Sequence, residues 1–136
     1  MEEPVEPTQA AERFQYMRVY SDDDGDSHFS EEEMPFTLTD FAPPAPGISV
    51  SKVTRAESVA VIFSPVGWYG EWHPAPRRQL MFCLGGELEV EVSDGEIRRI
   101  GPGAVTLVED TTGQGHISRV VGDERAYIAT VFLKDG

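Results

Sequence analysis

The sequence predicts an all-β fold, a single jelly-roll β-barrel with an acidic, partly disordered N-terminal arm. Short runs rich in valine, isoleucine and aromatic residues recur from residue 47 onward, separated by glycine, proline and aspartate. No run shows convincing helical periodicity, and 136 residues suffice for one domain with one core. Short strands at even spacing in a small domain are typical of a closed or double-sheet barrel of jelly-roll type.

The predicted strands follow from these runs in chain order. FQYMRVY is the first, and the later ones are ISVSKV, SVAVIFS, QLMFCL, ELEVEV, EIRRI, AVTLV, HISRVV and RAYIATVFL. ELEVEV places Leu88, Val90 and Val92 on one face and three glutamates on the other, so one face meets the core. Asp94-Gly95, directly after it, predicts a two-residue type I′ hairpin turn.

The charge of the chain excludes some partners. A net charge of −13 opposes binding to nucleic acid, which requires a cationic face, and opposes binding to an anionic membrane. No apolar run approaches the roughly 20 residues of a membrane span, and MEEPVEP lacks the basic and apolar segments of a secretory signal. The sequence therefore predicts a cytoplasmic protein that binds neither nucleic acid nor membrane.

Most of the acidity lies near the N-terminus. Residues 1–34 hold eleven acidic and two basic side chains, against thirteen and nine in the remaining 102. Residues 1–13 are predicted to form a disordered tail and residues 14–136 the barrel domain. SDDDGDSHFSEEE is predicted to be a solvated acidic loop. An EF-hand-like calcium loop from Asp22 to Glu33 is the alternative, with Ser27 where that loop requires glycine.

One stretch concentrates polar and aromatic residues just before a strand. In GWYGEWHPAPRRQLMFCLGG, the spacing of Gly67, His73, Ala75, Gln79 and Gly86 resembles the first motif of the cupin family. Cupins are small jelly-roll barrels, many of which hold a metal ion. GAVTLVEDTTGQGHISRV approximates the second cupin motif, and its histidine, His116, comes about two residues late. The resemblance spans about residues 58–132 and implies a cupin-like barrel and a homodimer.

The resemblance also implies a depleted metal site. His73, Gln79 and His116 occupy ligand positions of the family's motifs, while Ala75 stands at another and supplies no donor. The set would bind a divalent transition metal such as Zn, Ni, Mn or Fe more weakly than the full motif. The alternative is no metal, with the two histidines hydrogen-bonding inside a polar cavity. His28 is the only other histidine.

Four residues near the first motif are candidate ligand-binding residues. If residues 73–79 alternate as an extended strand, Arg77 faces the cavity, where its guanidinium suits a carboxylate or phosphate. The alternative for Arg77 is a surface ion pair with glutamates such as Glu87 and Glu89. The aromatic side chains of Trp68, Tyr69 and Trp72 are expected at the cavity mouth, as a ligand wall or as core or dimer packing.

Three classes of function follow from these features. The first is a barrel that binds a small acidic or polar organic molecule. The second is a metal-dependent isomerase, cyclase or oxygenase that uses His73, Gln79 and His116. The third is an interaction protein whose acidic N-terminal arm docks a basic partner. The single cysteine, Cys83, lies in an apolar strand and is expected to be a buried thiol, not a nucleophile.

Overall fold

The structure, a computed structural model, describes residues 13–135. This part of the chain forms eleven strands and no helix, which confirms the all-β prediction. The strands are β1 (Arg13–Ser21), β2 (Ser27–Thr39), β3 (Ile48–Ser51), β4 (Ala56–Ser64), β5 (Tyr69–His73), β6 (Gln79–Gly85), β7 (Glu87–Val92), β8 (Ile97–Ile100), β9 (Val105–Glu109), β10 (His116–Val121) and β11 (Ala126–Leu133). Within the described range there is accordingly no helix long and apolar enough to cross a membrane.

The strands form two sheets with jelly-roll topology. One sheet has seven strands in the order β3-β2-β1-β9-β6-β11-β4, and the other has four in the order β5-β10-β7-β8. From β4 onward, the two sheets contain the arrays β4-β11-β6-β9 and β5-β10-β7-β8, the strand order of a jelly roll. The jelly-roll prediction is confirmed in its double-sheet form, with two separate sheets and no continuous closed barrel.

The N-terminal part of the described chain belongs to the larger sheet. β1 pairs in parallel with β9 and antiparallel with β2, so the segment Arg13–Ser21 is a strand of this sheet. The predicted acidic loop is wrong in its second half, because β2 starts at Ser27 and buries Phe29 while Glu31 and Glu33 face outward. The predicted tail, residues 1–13, lies outside the described residues except for Arg13.

The β7–β8 hairpin confirms the alternation of ELEVEV and corrects its turn. Leu88, Val90 and Val92 are 5%, 7% and 0% exposed. Gly95 has φ of +98°, but no non-glycine residue among those described has positive φ, so Asp94 does not adopt a type I′ turn. The amide of Gly95 donates to the carbonyl of Val92, and the amide of Val92 to that of Glu96. These bonds close a three-residue loop in which glycine alone takes the left-handed conformation.

Two clusters of apolar side chains form the core between the sheets. One is Val19, Phe29, Cys83, Val90, Val92 and Ile100. The other is Leu88, Val120, Ala126 and Ile128. Fully burying an aliphatic side chain contributes about 1.5–3 kcal/mol, so these clusters hold the two sheets together. The outer face of edge strand β4, in contrast, exposes a row of apolar side chains, Val59, Val61 and Phe63.

Candidate functional site

A cavity of about 250 Å³ lies between the two sheets. Its wall is mostly apolar, and the polar side chains on it are two histidines and three hydroxyl residues. The apolar lining residues are Val19, Ile62, Trp68, Met81, Cys83, Leu88, Val90, Ile100, Val108 and Ile128. The polar ones are Ser64, His73, Thr106, His116 and Ser118. The cavity therefore offers an apolar space with a few hydrogen-bonding groups, the usual composition of a small-molecule site.

The pairing of β5 with β10 brings the two histidines of the cupin-like motifs together. His73, the last residue of β5, pairs with His116, the first of β10, and their ring centroids are 4.6 Å apart. The glycine-rich turn before His116 makes this possible. Gly115 has φ of +73°, and a Cβ placed there would lie 1.9 Å from the carbonyl oxygen of His73. Glycine thus allows the two strands to approach closely where the histidines meet.

In both histidines the ring nitrogen Nδ1 is hydrogen-bonded to an oxygen atom of the protein. The Nδ1 of His73 lies 2.5 Å from the carbonyl oxygen of Glu71, and the Nδ1 of His116 lies 2.5 Å from the carboxylate Oδ2 of Asp110. These oxygens accept hydrogen bonds, so in each neutral imidazole Nδ1 carries the proton and donates it. The Nε2 atoms of both rings are then acceptors available to a ligand.

Asp110 is the buried partner of this pair, and its importance is not evident from sequence. It follows β9 on the inward face, in step with Thr106 and Val108, and is 0% exposed. Its Oδ2 accepts the hydrogen bond from His116, and its backbone carbonyl accepts one from the amide of Ala75. Among the described residues, the buried side-chain polar atoms without a hydrogen-bond partner are Asp110 Oδ1 and Thr106 Oγ1. The alternation along β9, which places Thr106, Val108 and Asp110 on the same face, is the sequence pattern that indicates that both polar residues are buried.

Gln79 is buried near the cavity but is not part of its wall. It is 3% exposed, its carbonyl oxygen accepts a hydrogen bond of 2.6 Å from Thr130, and its amide donates to the backbone carbonyl of Arg77. Both functional groups of this side chain are therefore engaged within the protein.

Arg77 also lies outside the cavity wall. Its guanidinium pairs with Glu57 at 2.8 Å and stacks over the ring of Phe132. The ion-pair alternative thus describes Arg77, although the partner is Glu57 and not Glu87 or Glu89, which pair with Arg99 and Arg119. Among the described residues that line the cavity, none is a lysine or an arginine.

The three aromatic residues near the first motif separate in the structure. Trp68 lines the cavity, whereas Tyr69 and Trp72 are 50% and 43% exposed and do not. The ring of Trp68 lies over Gly70, where a Cβ would come within 2.6 Å of the ring. A glycine at position 70 therefore lets Trp68 close one side of the cavity.

The described side chains do not fit the metal centre that the cupin motifs imply. His73 and His116 supply two imidazoles, but the carbonyl oxygen of Gln79 is hydrogen-bonded to Thr130. No group of three or more histidine, cysteine, aspartate or glutamate side chains within residues 13–135 is arranged to hold an ion. The carboxylate of Asp110 accepts a hydrogen bond from Nδ1 of His116. It is therefore not placed to bind the same ion as Nε2 of that ring. The donor set is two neutral nitrogens, short of the three or four ligands of a transition-metal centre.

Cys83 lines the cavity as a buried thiol. It is 4% exposed, and burial raises the pKa of the thiol. A protonated thiol in this position contributes apolar surface to the wall and is a poor nucleophile.

His28 lies at the surface and does not line the cavity. Its Nε2 lies 2.6 Å from the carboxylate of Asp22, and its Nδ1 lies 2.8 Å from that of Asp94. It therefore links the β1–β2 turn to the β7–β8 turn. The hydrogen bonds with Asp22 and then Asp94 raise the pKa of His28 above its ordinary value of 6.5. The bond from His28 also lowers the pKa of Asp22.

The His28 link predicts a pH-dependent contribution to stability. Because the folded-state pKa is raised, the contribution is complete below the unfolded pKa near 6.5 and is lost as pH rises through the folded value. We expect His28→Gln to lower the unfolding free energy more at about pH 5.5 than at about pH 8.5, measured by urea unfolding. An equal loss at both pH values would show that the charge on His28 does not stabilise the fold.

Comparison with known proteins finds similar structures and no sequence match. No protein-family model and no curated protein sequence matches the chain. The cupin domain of Cnp3 from Schizosaccharomyces pombe is similar, with a TM-score of 0.48 and 14% identity over 90% of this chain and 84% of that domain. A putative ethanolamine utilization protein Q from Salmonella typhimurium is similar over 91% of this chain and 99% of its own, with a TM-score of 0.39 and 14% identity.

A third similar structure, the conserved SPY1581 protein of unknown function from Streptococcus pyogenes, has a TM-score of 0.44 and 15% identity. The match covers 57% of this chain and 65% of that one, just under two thirds of its length. The TM-scores are low, so the fold assignment depends on the strand order of this chain.

Proposed function

We propose that this cupin-like jelly roll is a ligand-binding protein whose cavity holds a small, mainly apolar organic molecule with a hydroxyl or amino group. The observation that carries the proposal is the histidine pair on an apolar wall. In the neutral imidazoles Nδ1 carries the hydrogen, because it is bound to an acceptor oxygen, and the Nε2 atoms of His73 and His116 are acceptors. A ligand that donates a hydrogen bond to one of these Nε2 atoms while its body fills the apolar space satisfies both parts of the wall.

The size of the cavity limits the ligand. An apolar cavity of about 150 Å³ accommodates benzene. The cavity here, at about 250 Å³, suits a molecule on the order of ten non-hydrogen atoms. An acidic ligand was expected because of Arg77, but Arg77 is paired with Glu57 outside the wall. The proposed ligand is therefore polar at one group and uncharged.

Blocking the cavity is expected to abolish binding. Benzyl alcohol and toluene are suitable probes, since they share an aromatic ring and differ in a hydroxyl group. Ile62 lines the cavity, and Ile62→Trp should fill it and eliminate saturable binding of both probes in NMR titrations. Ile97→Trp is the matched control, because Ile97 is 48% exposed and lies outside the wall. Binding that survives Ile62→Trp would place the ligand site elsewhere.

The homodimer implied by the cupin resemblance remains a prediction. The exposed row of Val59, Val61 and Phe63 on β4 is an apolar surface of the kind that subunit interfaces cover. The interaction-protein alternative needs an acidic arm free to dock a partner. The described part of that arm instead contains β1 and β2, two strands of the larger sheet. The cavity is therefore better supported than the arm as the functional site.

A further inference from the structure

Asp110 and His116 form a carboxylate–imidazole pair. The other ring nitrogen of the pair, Nε2, is on His116, which lines the cavity. The pair is joined by a 2.5 Å contact, Asp110 is 0% exposed, and the His116 side chain is 13% exposed. A carboxylate that accepts the Nδ1 hydrogen fixes the tautomer of the ring and stabilises the imidazolium that forms when Nε2 takes a proton. Ligand binding alone requires no such carboxylate, since the backbone carbonyl of Glu71 fixes the tautomer of His73.

Thr106 supplies a second feature that binding by the histidines leaves unexplained. Its hydroxyl is buried on the cavity wall and has no hydrogen-bond partner among residues 13–135. A buried hydroxyl without a partner is unfavourable, so its hydrogen is available to an oxygen atom of a bound molecule. Thr106 lies on the larger sheet and the histidines on the smaller one, so a ligand that contacts both sides bridges the sheets.

We propose that the cavity isomerises a small, mainly apolar α-hydroxy carbonyl compound, with His116 as the general base, Asp110 as its positioning residue and Thr106 as a hydrogen-bond donor to the carbonyl oxygen. This inference rests on the proposed function, because the substrate hydroxyl is the group that binds His73. The base, His116, lies in an apolar cavity beside His73, which accepts the hydrogen bond of the substrate hydroxyl. Thr106, on the other sheet, supplies a hydroxyl donor. This arrangement suits proton transfer next to a carbonyl.

The reaction is a redox-neutral movement of two protons. His116 Nε2 takes the hydrogen from the carbon that bears the hydroxyl, and the electron pair of that C–H bond forms the carbon–carbon double bond of an enediolate. The carbonyl π electrons move to the oxygen, which accepts the hydrogen bond from Thr106. His116 then returns its proton to the former carbonyl carbon. The hydroxyl proton passes through His73 Nε2 to the former carbonyl oxygen, which gives the isomeric hydroxy carbonyl compound.

Hydrogen exchange into 2-hydroxyacetophenone tests this inference. The wild-type protein in D₂O is expected to exchange the CH₂ hydrogens at least about 100-fold faster than buffer, followed by proton NMR. His116→Gln, which can still donate to Asp110, and Asp110→Asn should return the rate to near that of buffer. Thr106→Val should lower it at least about tenfold, since one stabilising donor is lost. His28→Gln, at a residue that does not line the cavity, is the control that keeps the wild-type rate.

Two further readouts separate the outcomes. Ring nitrogen NMR should show His116 with the hydrogen on Nδ1 in the wild type and a changed tautomer in Asp110→Asn, which a purely structural role of Asp110 would not require. If 2-hydroxyacetophenone displaces benzyl alcohol but exchanges at the buffer rate, the proton-transfer inference is overturned and the binding function stands. Wild-type exchange rates in Asp110→Asn would also overturn it. Failure of both compounds to bind would instead contradict the proposed function itself.

Discussion

Replacing His116 with alanine is expected to lower the free energy of unfolding by about 3–5 kcal/mol, because it leaves the carboxylate of Asp110 buried without its partner. Asp110 is 0% exposed, and its other oxygen, Oδ1, already has no hydrogen-bond partner among the described residues. Among the described side chains, His116 is the one that hydrogen-bonds this carboxylate. Urea unfolding near neutral pH, with a constant m-value, measures the loss.

His73→Ala is the matched control for this substitution. His73 also hydrogen-bonds through Nδ1, but to the backbone carbonyl of Glu71, and its loss is expected to cost only about 0.5–1.5 kcal/mol. Adding Asp110→Asn to His116→Ala should recover part of the stability, since a neutral amide is less costly to bury than a carboxylate. If His116→Ala and His73→Ala cost the same, Asp110 does not depend on His116 for its burial.

Gly115→Ala is expected to destabilise the protein by a similar amount, about 3–5 kcal/mol in total. The new Cβ would lie 1.9 Å from the carbonyl oxygen of His73 and 2.4 Å from the backbone nitrogen of Pro74. These atoms belong to backbone and cannot rotate away, so β5 must move from β10. That movement separates His73 from His116, and binding of benzyl alcohol should be lost together with stability.

Gly103→Ala separates the clash from backbone strain. Gly103 has φ of +92°, but a Cβ there meets nothing within 4 Å. We expect Gly103→Ala to cost about 1–2 kcal/mol, the penalty for a left-handed residue, and to leave binding intact. Equal losses for the two alanine variants in thermal or urea unfolding would show that the contact between Gly115 and His73 does not hold these strands together.

The strands and their facing were largely predictable, because periodicity records which side of a strand is buried. The alternation of ELEVEV and the apolar run around Cys83 fall on β7 and β6 as expected. β2 was missed because three consecutive glutamates lie in its middle and mask the alternation, which shows at Ser27 and Phe29 before them and at Met34, Phe36 and Leu38 after them. A strand at this position is stabilised by pairing with β1, a contact that local composition does not encode.

The site was predictable in part. The spacing around Gly67, His73 and His116 located the histidines that the β5–β10 pairing brings together. The facing of Arg77 was inferred from continuous alternation between His73 and Gln79, but β5 ends at His73 and β6 begins at Gln79. The prolines between them interrupt the strand, so alternation does not carry across. Asp110 was missed because its role depends on the turn that returns the chain to His116.

The measurement that tests the central claim most directly is an NMR titration of the wild-type protein with benzyl alcohol and toluene, observing the ring nitrogens of His73 and His116. We predict saturable binding that shifts the Nε2 signal of at least one of the two rings, with benzyl alcohol preferred by roughly threefold to tenfold, the effect of about one net hydrogen bond. Binding with no change at either ring, or an equal affinity for toluene, would contradict the assignment of the histidine pair as the ligand anchor.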